Sequence, residues 1–163
     1  MDMKSIFKYC AAALVAALAI SCSKSEGGKG YEAYALIVTQ TKNYVSIPKD
    51  AQGHSTNPKL ENIYRDLNAD MEKFFANRTS KWVVEYNTKE EEKTLSAKDE
   101  EAKQKQEALV SAYNTWFDKN YKAVLSDASN GSGTISIQYT VTLSRSQKTN
   151  IVAPTVLEAS YKH

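Results

Sequence analysis

The sequence predicts an α+β fold, a two-layer sandwich in which two helices cover one face of a four-to-five-stranded, largely antiparallel or mixed sheet, in the order β-α-β-α-β-β. Three observations predict it. Residues 134–145, TISIQYTVTLSR, alternate with a period of two, the mark of a strand with one face on a core. Leu60, Ile63, Tyr64, Leu67, Met71, Phe74 and Phe75 recur at helical spacing. The outward residues of the alternating strand, Ser136, Gln138, Thr140, Thr142 and Ser144, are all polar, so helices are expected on one side only.

The elements follow in order. YEAYALIVTQT (31–41) is rich in aromatic and β-branched residues and reads as a central strand, with NYVSIP (43–48) returning as a short partner. KDAQGHSTN (49–57) is a loop, and Asn57 before Pro58 is the residue order of a helix cap followed by a first helical position. After the helix of Leu60–Phe75, KWVVEYN (81–87) alternates, with Trp82, Val84 and Tyr86 on one side.

A longer helix is expected to start behind Ser96, with Asp99 completing a weak capping box. Its stripe is Ala102, Leu109, Tyr113, Trp116, Phe117, Tyr121 and Val124. Its first turns carry Lys, Glu and Gln, with Asp99–Lys103 and Glu101–Lys105 placed as i,i+4 pairs, and are expected to project into water or onto a partner. DASNGSG (127–133) ends it. A last strand in IVAPTVLEASY should pair antiparallel with 134–145, Pro154 suiting an edge or a bulge.

Ahead of this domain, Lys4 and Lys8 precede an apolar run from Tyr9 to Ile20, followed by Ser21 and Cys22. The run is about a dozen residues where a transmembrane helix needs about 20, so a cleaved secretory leader is expected. Leu18, Ala19, Ile20, Ser21 and Cys22 resemble the lipobox of bacterial lipoproteins, in a relaxed form of the kind found in Bacteroidota. That resemblance implies a signal peptide over 1–21 and a lipidated Cys22; the glycines and polar residues of SKSEGGKG make 22–30 the lipidated cysteine with a flexible tether, and the periodic pattern that follows is read as a single α+β domain over 31–163. Ser23 after the cysteine implies the outer membrane, with the periplasmic or surface face left open. Cys10 lies in the removed segment, so lipid attachment accounts for a solitary Cys22 better than redox chemistry does.

Removing 21 of 163 residues leaves 142, enough for one core. The net charge of +2 falls to +1 once Lys4, Lys8 and Asp2 go, which gives no electrostatic case for a nucleic-acid partner. The membrane would be reached through the lipid anchor.

Candidate chemistry is sparse. His54, with Asp50 and Ser55 beside it, suggests a hydrolase, but neighbours in sequence make no triad unless they converge in space. Asp127, Ser129 and Asn130 resemble the start of a calcium loop, yet the fifth place is Gly131 and the twelfth Gln138, so helix termination is expected and no metal site. Glu90, Glu91 and Glu92 have no apolar neighbours to raise a pKa. Most aromatic residues lie on apolar stripes and are expected in the core, with Tyr31, Tyr34, Tyr44 and Tyr161 less committed. No cofactor is expected.

The sequence therefore points to a non-catalytic, outer-membrane-anchored lipoprotein presenting a small module to envelope proteins or glycans. Ser136, Gln138, Thr140 and Thr142 are the candidate contact residues. The alternatives are a hydrolase using the His54 loop and a structural assembly factor.

Overall fold

A computed structural model describes residues 28–146 and 150–163. The chain forms β1 (Lys29–Ser46), α1 (Pro58–Phe75), β2 (Ser80–Asn87), α2 (Glu91–Asn120), α3 (Lys122–Ser126), β3 (Thr134–Arg145) and β4 (Thr155–Lys162). The four strands make one antiparallel open sheet in the order β2-β1-β3-β4, with the helices packed on it in a two-layer α+β sandwich. No helix among the described residues is long and apolar enough to cross a membrane.

The core lies between sheet and helices. Ile135, Ile137, Val141 and Leu143 of β3 meet Leu60, Leu67 and Met71 of α1, all fully buried. Each such side chain contributes about 1.5–3 kcal/mol on burial. Aromatic rings thicken the layer: Phe75 stacks on Tyr139 with centroids 4.3 Å apart and on Tyr113 at 5.5 Å, and Trp116 leans on Phe74 at 5.0 Å. Of the four less committed tyrosines, Tyr34 and Tyr161 are buried and Tyr44 is half exposed.

Helix α1 starts as expected. The Asn57 side chain accepts from the Leu60 amide at 3.0 Å, Pro58 follows, and Asn77, at φ 61°, lies in the left-handed turn after the helix.

Several details differ from the sequence reading. Residues 31–48 do not fold back into a hairpin; β1 is a single strand of 18 residues with a bulge between Gln40 and Lys42. Thr-Lys-Asn lacks the glycine that usually accompanies Asn in a two-residue turn, whereas β3 is long enough to pair with both halves, Tyr34 with Arg145 and Ser46 with Thr134. The strand also begins at Lys29, inside the expected tether, because Gly30 pairs with Tyr86 and lies against its ring.

Helix α2 starts at Glu91, ahead of Ser96. Asn87 caps a 3-10 turn (Thr88–Glu90) that runs straight into it, accepting from the Lys89 amide at 3.0 Å, and Glu91 and Glu92 sit favourably in its first turn. Asp99 is drawn inward, where Tyr34 Oη donates to it at 2.9 Å and Arg145 Nη2 lies 3.6 Å away. The ion pairs found on this stretch are Lys98–Glu101 and Glu100–Lys103, three residues apart, and Lys105 sits over the Trp82 ring. Leu95 and Ala102 are buried, so the charged start packs on the domain along one side. Finally, the helix breaks at Tyr121, which turns Leu125 inward and leaves Val124 exposed.

Candidate binding cleft

The contact residues expected from sequence do share a face. Register places Ser136, Gln138, Thr140 and Thr142 on the side of β3 away from Ile135, Ile137 and Val141, beside Lys42, Thr39 and Ile37 of β1. Their hydroxyls are largely spent within the sheet. Ser136 Oγ donates to Glu158 at 3.1 Å, Thr140 and Thr41 share a hydrogen bond of 3.0 Å, and Thr142 Oγ1 reaches the Ile37 carbonyl at 3.5 Å. Buried or half-buried hydroxyls that already have partners gain little from a ligand.

The other candidates lie apart. Cys22 falls outside the described residues. His54 sits on an exposed turn, its side chain 78% accessible, with Nδ1 3.4 Å from Asp50 Oδ2. The Ser55 hydroxyl is occupied in accepting from the Asn57 amide at 3.2 Å. Asp127 accepts from both the amide and the hydroxyl of Ser129, and these bonds hold its carboxyl below the usual range. Asn130 is buried and donates to the Val124 carbonyl at 2.6 Å, so this segment is a helix-terminating turn. No group of three or more potential metal-binding side chains occurs among the described residues.

A cleft of about 600 Å3 lies instead between α2 and the segment entering β4. One wall is a stripe along α2 that includes Lys103, Gln106, Glu107, Val110, Asn114 and Asp118; the other is Val152, Ala153 and Thr155. The stripe spans about 22 Å at 1.5 Å per residue.

Gln106 is the unusual member. It occupies the inward stripe with Ala102, Leu109 and Tyr113, and is only 4% exposed. Its Nε2 donates to Thr155 Oγ1 at 3.0 Å, while Oε1 is buried with no partner. Because the threonine hydroxyl both donates and accepts, turning the amide over only exchanges which end is unmet. An unmet buried polar atom costs about 1–3 kcal/mol, which a suitable ligand would recover. Tyr113 Oη and Arg145 Nε are the other buried polar side-chain atoms left without a partner among the described residues.

The sequence carried a signal for this site: a glutamine in register with an apolar helical stripe. A buried polar residue is more informative than an exposed apolar one. At the far end of α2, Arg145 and Asp99 line a second cleft of about 420 Å3, where Glu91 and Glu92 add negative charge.

No family model, no curated protein and no solved structure matches this chain.

Proposed function

We propose that the chain is a non-catalytic lipoprotein of the bacterial outer membrane, anchored through Cys22, whose α+β domain binds envelope proteins or glycans. The residues Leu18–Cys22 support the anchor. The half-satisfied carboxamide of Gln106, beside an open cleft, is the observation that carries the binding role. Tethering confines the domain to a thin layer beside the membrane, which raises its effective concentration toward partners held there.

The test is fractionation of cells producing the full chain or its Cys22→Ser variant. The wild type should sediment with outer membranes and partition into detergent, and the variant should not. Equal behaviour of the two, with both soluble, would overturn the proposal. Protease treatment of intact cells then reports the face: degradation means the surface, protection means the periplasm.

A further inference from the structure

We infer that the cleft beside α2 receives an extended polypeptide segment of a partner protein, one that carries a basic residue. This rests on the binding role proposed above and names its ligand class. Four features of the molecule lead there.

The first is the unmet end of the Gln106 amide, buried at the cleft wall. A peptide backbone offers a donor and an acceptor at every residue, so it meets this end whichever way the amide is turned. The second is shape. A wall of about 22 Å along α2 matches about six or seven residues of extended chain.

The third is charge. Glu107 is exposed on the wall and makes no ion pair within 4 Å among the described residues, whereas Lys103 is held by Glu100 at 2.9 Å and Asp118 by Lys122 at 3.2 Å. The charge of Glu107 also acts on Lys103, and as an exposed carboxylate without a close ion pair it favours a cationic side chain. The fourth is the sheet edge. Thr155, which lines the cleft and holds Gln106, is the first residue of β4, and no strand pairs with the outer edge of β4 among the described residues. A chain leaving the cleft there can go on to add as a strand. Among the described residues no aromatic ring lines the cleft, which disfavours a sugar stacked in it. Gln106 is only 4% exposed, so an incoming chain engages its unmet end only as the lining around it gives way.

The test selects a phage-displayed library of random 12-residue peptides on the full chain in detergent, then measures synthesised winners by fluorescence anisotropy and hydrogen exchange. Winners should be enriched in Lys or Arg and should slow exchange at Thr155 and the adjoining amides of β4. Gln106→Leu should weaken them about tenfold, the loss expected for one or two buried hydrogen bonds. Glu107→Lys, an exposed change that leaves the core intact, should weaken them by a similar factor. Absence of enrichment, or winners that bind both variants as well as wild type, would overturn the inference. A chitin tetrasaccharide that protects the same amides and loses affinity with Gln106→Leu would overturn the peptide assignment while supporting the binding role. Failure of the anchor is read separately, from fractionation of Cys22→Ser.

Discussion

The Asn57 side chain donates through Nδ2 to the Asn130 carbonyl at 2.6 Å, joining the start of α1 to the turn that leads into β3. The same Nδ2 reaches the Ser132 carbonyl at 3.0 Å, while Oδ1 caps the Leu60 amide. One residue thus closes a helix and fastens it to the central part of the sheet.

Asn57→Ala should destabilise the domain by about 2 kcal/mol, a helix cap plus carbonyls left without their donor. Asn57→Asp keeps the cap but sets an acceptor-only carboxylate oxygen against the Asn130 and Ser132 carbonyls, so its loss should be at least as large. Urea denaturation with unchanged m-values checks both.

Gly30 and Tyr86 form a cross-strand pair in which a Cβ at position 30 would collide with the ring. Gly30→Val should cost about 1–3 kcal/mol by forcing Tyr86 out of place. Gly28→Ala is the control for sequence alone: there the nearest atom is Thr88 Oγ1 at 3.8 Å, although the positive φ adds strain. Thermal unfolding followed by tyrosine fluorescence separates lost packing around Tyr86 from simple backbone strain.

Alkaline pH should unfold the protein through its buried phenols. Burial raises the pKa of Tyr34, Tyr113 and Tyr121 well above the usual range, with Asp99 adding to the rise at Tyr34, Glu158 at Tyr113 and Asp70 at Tyr121. The folded state therefore holds protons that the unfolded chain releases near pH 10. The stability this contributes is complete below about pH 10 and declines as pH rises toward the folded values. Titration at 295 nm should show these three phenols ionising only as the fold is lost.

Much of the architecture was legible because local and global demands agree. In β3, Ile135, Ile137, Val141 and Leu143 face the core and their polar neighbours face out, so the alternation states the burial directly. Asn57 and Pro58 announce α1 by local capping chemistry. What was not legible depends on distant partners. The bulge in β1 exists because β3 pairs along its whole length, a fact that Thr41 and its neighbours do not carry. Asp99 looked like the partner of Ser96 in a capping box, but its partners are Tyr34, 65 residues away, and Arg145.

The cleft illustrates both sides. Gln106 stands out in sequence as a polar residue on an apolar stripe, yet its half-met state depends on Thr155, 49 residues away. The hydroxyl row from Ser136 to Thr142 was visible as a face; that its members are already bonded to Glu158, Thr41 and Ile37 required the neighbouring strands.

The most direct measurement of the central claim is the intact mass of the N-terminal peptide of the native protein extracted from membranes. The account predicts a chain that begins at Cys22 and carries acyl groups on that residue. A peptide that begins elsewhere, or an unmodified Cys22, would contradict it.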